Sequence, residues 1–143
     1  MTSIRSMFTT LRIAASGTAA ERVRINVISK NIAHAEVTQM PDGSGPYRRQ
    51  VVSFAPYMDP SKSPTGSVGV RVRGITPDLE TPMLTIHDPS HPDANERGEV
   101  TMPNVNVTQE MADLIGAMRA YEANLNVQDG FVRTAERALR MAQ

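Results

Sequence analysis

The sequence predicts a mainly α protein with a small β insert. A long helix is expected at each end, the two pairing as an antiparallel, coiled-coil-like base. A short β-rich module carrying the prolines and most of the glycines lies between them. Three observations carry this prediction. All ten prolines fall between Pro41 and Pro103; proline lacks the helix-forming N–H and clashes with the preceding turn, so both ends are free to be continuous helix. Both ends also repeat apolar residues at intervals of seven, which keeps them on one helix face. The middle holds six of the nine glycines, with the punctuation of turns and short strands. The expected division is an N-terminal helical segment at 1–40, an insert at 41–104 and a C-terminal helical segment at 105–143.

In the first segment Ile4, Leu11, Thr18, Ile25 and Ile32 are seven apart, and Met7, Ala14, Glu21, Ile28 and Ala35 fill the interleaved position. Eight of these ten are apolar, which predicts an amphipathic helix of roughly 30 residues, about 45 Å long at ~1.5 Å per residue. Gly17, with Thr18 and Glu21 close by, predicts a weak point where the helix bends or breaks.

The insert opens on the turn signals Pro41-Asp42-Gly43 and Gly45-Pro46. Tyr47 to Phe54 reads as a strand. Val68, Val70 and Val72 alternate with Gly69, Arg71 and Arg73, the period of two expected of a half-buried strand. Met83–Ile86 and Val100–Met102 are shorter candidates. The Pro-, Ser- and Gly-containing stretch near 59–67 is expected to be a mobile loop. A β module this small is not expected to be stable alone.

The C-terminal segment is more regular. Met111, Met118, Leu125, Val132 and Leu139 are seven apart, with Leu114, Tyr121, Gln128, Ala135 and Ala142 at the other position. Nine of these ten are apolar, and four heptads at that period are a coiled-coil signal. Gln128, followed by Asp129-Gly130, is where the seam is expected to be interrupted. Thr108, Glu110 and Asp113 in the opening turns suit the positive end of a helix dipole. Pairing the two helices would hide one seam and leave wide apolar flanks.

Composition narrows the function. Aromatic residues make up 4% of the chain and tryptophan is absent; aromatic side chains bury the most area each, so a thin core is expected, with part of the apolar surface covered by neighbouring chains. Fifteen basic residues balance fifteen acidic ones, which argues against nucleic-acid binding. With no cysteine, disulfides, thiol nucleophiles and thiolate metal sites are excluded. Apolar runs of about three residues cannot span a bilayer, and Arg12 interrupts any signal-peptide core, so neither a membrane span nor a cleaved signal is expected.

No catalytic constellation emerges. His87 and His91 stand four apart, but Pro89 and Pro92 forbid the helix that would place both on one metal. Ser44 between Gly43 and Gly45 lacks the strand-turn-helix frame of a nucleophile elbow. Catalytic, metal and cofactor sites are therefore expected to be absent, as is a small-molecule substrate. Asn26, Asn31, Asn124 and Asn126 lie amid the apolar residues of the helices. Amides so placed either fix register between helices or face solvent, and the sequence leaves both readings open.

Several blocks resemble one family. Ile28-Ser29-Lys30-Asn31-Ile32-Ala33-His34-Ala35 is similar to the Asn-rich signature that ends the N-terminal helix of bacterial flagellar rod, hook and hook-associated proteins, and Ser16-Gly17 resembles their upstream Ser-Gly pair. Arg119-Ala120-Tyr121-Glu122-Ala123-Asn124 resembles their C-terminal block. Pro46-Tyr47-Arg48, His91-Pro92-Asp93-Ala94-Asn95, Gly98-Glu99-Val100 and Met102-Pro103-Asn104-Val105-Asn106-Val107 resemble, in order and spacing, the proximal-rod members. Lys30 and His34 depart from the family's Asn, and Gln128 from its usual aliphatic residue.

The resemblance implies a non-catalytic subunit, exported by the flagellar apparatus without a cleaved signal and built into the periplasmic rod of the basal body. Its implied partners are other rod subunits, copies of itself, and export-gate and ring adaptor proteins. The expected subunit-interface residues are Ile4, Leu11, Ile25, Ile28 and Ile32 in the first helix. In the second they are Met111, Leu114, Met118, Tyr121, Asn124, Leu125, Val132 and Leu139. An autonomous coiled-coil adaptor that binds one partner helix is the alternative.

Overall fold

The computed structural model describes residues 2–58 and 67–141, with side chains described for 9–57 and 69–141. Helix α1 spans Thr2–Ala33 and helix α2 spans Val107–Met141. Between them come strands β1 (Gln50–Met58), β2 (Ser67–Pro77), β3 (Leu84–His87) and β4 (Glu99–Met102). The strands form two separate antiparallel pairs, β1 with β2 and β3 with β4. The chain is thus mainly helical with a small antiparallel β insert. Asp59 to Gly66, most of the stretch expected to be mobile, lie outside the described residues.

Helix α1 does not break at Gly17. The glycine serves packing instead. A Cβ there would come within 2.9 Å of Asn124 Nδ2 on α2, so its absence lets the two helices approach closely. Asn31 meets Glu110 near the other end of the pair, and the two contacts fix the helices as antiparallel.

The first strand also starts later than the sequence suggests. Tyr47 and Arg48 precede it, because the Tyr47 N–H is spent on the Val37 carbonyl at 3.0 Å and its ring turns inward. The strand then runs through Pro56, opposite Val70. Proline has no N–H for a ladder, and the Val70 N–H points away from β1 to Ser16 Oγ on α1, at 3.1 Å. Gly69, next to it, has a φ of 148°, which an L side chain rarely adopts. A Cβ there would overlap Ser16 Oγ. So the β1–β2 hairpin lies against α1, with Ser16 and Gly69 setting the closest approach. Val70 and Val72 are half-buried while Arg71 and Arg73 are exposed, the alternation the sequence predicts; the side chain of Val68 lies outside the described residues.

The turn after α1 is closed by the Met40 and Gly43 N–H groups on the Gly45 and Met40 carbonyls, at 2.8 and 2.9 Å. Asp42 Oδ1 accepts from both the N–H and hydroxyl of Ser44, which holds its carboxyl below the usual carboxylate range. The β3–β4 hairpin docks on this turn through Thr38, whose hydroxyl donates to Asp93 at 2.6 Å. The core is small, as the low aromatic content predicts: Ala14, Ala20, Val27 and Ile28 on α1, Ala117 on α2, and Tyr47 and Val100 in the insert.

Candidate functional site

Where the insert meets the two helices, four segments converge on Asn31, which is 1% exposed. Its Oδ1 accepts from Tyr47 Oη at 2.8 Å and from the Gln50 N–H at 2.9 Å. Its Nδ2 donates to the Gln50 carbonyl and to Glu110 Oε2, both at 2.9 Å. An amide side chain offers two donors and an acceptor with two lone pairs, so every capacity of Asn31 is used. By holding both backbone groups of Gln50, a helix side chain takes the place of a neighbouring strand at the start of β1.

Glu110 is equally enclosed. Its Oε1 accepts from Arg49 Nε at 2.7 Å, and the rest of the guanidinium reaches Asp78 at 3.5 Å and Asp113 at 3.8 Å. Burial acts to lower the Arg49 pKa, but hydrogen bonding and charge from Glu110, with Asp78, outweigh it, so the net direction is upward. Asp78 is held below its ordinary value chiefly by the N–H and hydroxyl of Thr81, with a smaller part from Arg49. Asn104 completes the joint: its Oδ1 accepts the Arg49 N–H, and its Nδ2 donates to the Asp78 and Thr81 carbonyls. The Tyr47 phenol is raised above its ordinary value by burial and then by the charge of Glu110. His34 stacks on Tyr47 with ring centroids 4.8 Å apart.

The start of α2 is capped by Asn106, whose Oδ1 accepts the Gln109 N–H at 3.1 Å. Thr108 is exposed. Glu110 does more than complement a dipole: it is the acid of a buried ion pair.

The expected interface residues fall into two groups. Asn31 on Glu110, Gly17 on Asn124 and Thr18 on Gln128 identify the rows of α2 that face α1: Glu110, Ala117, Asn124 and Phe131, and beside them Leu114, Tyr121, Gln128 and Ala135. All eight are buried or half-buried. Ile28 is buried, and Leu11, Ile25 and Ile32 are half-buried, whereas the side chain of Ile4 lies outside the described residues. The row Met111, Met118, Leu125, Val132 and Leu139 is exposed, at 54, 46, 37, 49 and 68%. Ile115 beside it is 53% exposed.

One row of the seam is therefore shifted by one position from the most apolar pair: Glu110, Ala117, Asn124 and Phe131 stand in place of Met111, Met118, Leu125 and Val132, which form an outer face. Gln128 does not interrupt the inner seam. Its Nε2 donates to Thr18 Oγ1 at 2.7 Å, so two of the three polar exceptions in the heptad patterns pair with each other. Of the four asparagines amid apolar residues, Asn31 and Asn124 face inward while Asn26 and Asn126 are exposed. Among the described residues no three His, Cys, Asp or Glu side chains are grouped to hold a metal ion. No described helix is long and apolar enough to cross a membrane.

The motifs singled out in the sequence are thus the joints of the fold: Ser16-Gly17, Asn31, Tyr47, Asn104, Asn106 and Asn124. The same joints have relatives. The flagellar basal-body rod protein FlgC of Borreliella burgdorferi is 42% identical over 85% of this chain and 88% of its own length. The chain belongs to the FlgC family of flagellar basal-body rod proteins. FlgC of Bacillus subtilis is 34% identical over 95% of this chain and 98% of its own, and FlgC of Aquifex aeolicus 40% identical over 91% and 96%. A family model described as the flagellar basal body rod FlgEFG protein C-terminal matches residues 96–129, which include β4, Asn104, Glu110 and Asn124. As a member of this family the chain is a structural protein of the flagellar basal body and not an enzyme.

Proposed function

We propose that this chain is a subunit of the proximal rod that assembles through its terminal helices into an axial tube and passes motor torque toward the hook. The observation that carries this reading is the outer row of α2. Met111, Met118, Leu125, Val132 and Leu139 are exposed on a helix whose opposite side is already occupied by α1. Exposed apolar faces of this length mark interaction surfaces. In this reading the terminal segments 1–40 and 105–143 make the tube by coiled-coil-like packing, and the insert at 41–104 sits outward. The buried joint around Asn31 and Glu110 makes helices and insert turn together. Export from the cytoplasm without a cleaved signal, assembly in the periplasm, and contacts with other rod subunits, copies of itself and ring or export-gate adaptor proteins belong to the same proposal.

The test is Met118→Asp or Leu125→Asp. Both side chains are more than a third exposed, so the folded monomer should change stability by no more than about 0.5 kcal/mol. Swimming should be lost while the subunit is still exported. Normal swimming would overturn the axial role. An autonomous adaptor would instead be a discrete dimer in solution, and rods would still be built in its absence.

A further inference from the structure

The outer row of α2 has a counterpart on the same molecule. On α1, Arg12, Ala15, Ala19, Arg22, Asn26 and Ser29 are all exposed and follow one another at steps of three and four. Lys30 adds a third cation beside them. Among the described residues, Arg12, Arg22 and Lys30 have no ion-pair partner, and no acid shares this face. It is a cationic surface on which the uncharged side chains are short.

The exposed face of α2 is its complement. Met111, Ile115, Met118, Leu125 and Val132 project from it, and Glu122, Asp129 and Glu136 occupy the intervening steps. Glu136 has Arg140 at 3.6 Å, while Glu122 and Asp129 have no ion-pair partner among the described residues. Arg119 and Arg133 are exposed one residue beyond Met118 and Val132, on the far side of the acids, so the acids stand nearest the apolar ridge. Both faces advance at an average of 3.5 residues per turn, the period that keeps two helices in contact along their length.

We propose that the outer face of α2 docks on the outer face of α1 of a second copy. The large apolar side chains would lie over Ala15 and Ala19, and Glu122 and Asp129 would meet Arg12 and Arg22. The two faces are different and sit on one molecule, so the contact is head-to-tail: each copy keeps one face of each kind free, and addition continues without closing into a two-fold dimer. This rests on the rod-subunit reading and adds to it which face meets which.

Because the chain has no cysteine, single introduced thiols report contacts cleanly. Flagellated cells would express two tagged copies of the full chain. One carries Ala15→Cys, Ala19→Cys or Asn26→Cys in turn, and the other Leu125→Cys or Val132→Cys; basal bodies are isolated after mild oxidation. A mixed disulfide dimer is expected for at least one pairing. Basal bodies that contain both copies but yield only like-with-like dimers, or none, would overturn the docking and leave the rod reading intact. Basal bodies lacking both copies would overturn the rod reading itself.

Charge exchange gives a second arm. Arg12→Glu with Arg22→Glu should cut swimming at least about tenfold through like-charge opposition. Adding Glu122→Arg with Asp129→Arg to the same chain should restore it, which general misfolding cannot do. Unimpaired swimming after the first pair, or no recovery after the second, would refute the pairing.

Discussion

Replacing Asn31 by Ala tests the joint most directly. The substitution removes two acceptor and two donor contacts at once, leaving Tyr47 Oη, both backbone groups of Gln50 and Glu110 Oε2 without their partner. Sealed from water, each stranded group would cost about 1–3 kcal/mol. The site is not sealed: an open cleft of about 230 Å³ reaches Asn31, Gln50 and Glu110, so water can enter and the lower figure of ~1 kcal/mol per contact applies. Four contacts then give about 4 kcal/mol, and the better helix propensity of alanine returns about 0.5 kcal/mol. The net loss of roughly 3–4 kcal/mol is a large share of a typical total stability of 5–15 kcal/mol.

Urea unfolding of the full chain, followed by far-ultraviolet circular dichroism, measures this as a lowered midpoint at unchanged slope. Asn31→Asp keeps the size but places a carboxylate beside Glu110, where Nδ2 stood 2.9 Å from Oε2. It should therefore be at least as damaging as Asn31→Ala. A loss below about 1 kcal/mol for the alanine variant, or a milder aspartate variant, would refute the view that this amide holds helix and insert together.

Three further outcomes follow from named contacts. Gln128→Leu removes the donor to Thr18 Oγ1, which keeps its own bond to the Ala14 carbonyl at 3.0 Å, and should cost about 1 kcal/mol, whereas adding Thr18→Val removes the polar partner left behind and should recover part of that loss, read as a double-mutant cycle in urea. Gly69→Ala places a Cβ against Ser16 Oγ at an unfavourable φ and should cost about 1–3 kcal/mol; Ser16→Ala in the same chain should relieve the clash but not the backbone strain. The Tyr47 phenol is raised above its ordinary value of 10.0, so its protonated form favours the folded state. That contribution is complete below the ordinary value and is lost as pH climbs through the raised one. Urea midpoints between about pH 8 and 11 should fall less steeply for Tyr47→Phe than for the native chain.

Both helices were legible because proline is missing from their segments and apolar residues repeat there, two signals that depend on local geometry. Their pairing face was less so. Hydrophobic patterning favours Met111, Met118 and Leu125, yet the contact with α1 is made by Glu110, Ala117 and Asn124. Short and polar side chains allow close approach and specific bonds, and neither property registers as hydrophobicity. Asn31 stands out as an amide among apolar residues, but its partners Tyr47, Gln50 and Glu110 are 16, 19 and 79 positions away and carry no local mark of association. A lone glycine lowers helix propensity, so Gly17 alone signals a helix weakness; the neighbour that makes it useful, Asn124, is 107 positions away. Arg48 and Arg49 are adjacent residues of one type, and only tertiary contact separates the ion-paired Arg49 from its neighbour.

The arrangement around Asn31 has a consequence for how the polypeptide comes into being. Its members are drawn from the end of the first helix, the entrance and exit of the first hairpin, and the beginning of the last helix. Until the final third of the chain arrives, Arg49 has no Glu110 and Asn31 lacks its acceptor on α2. A nascent chain therefore lacks the contacts that tie its insert to the last helix, and that joint should close late.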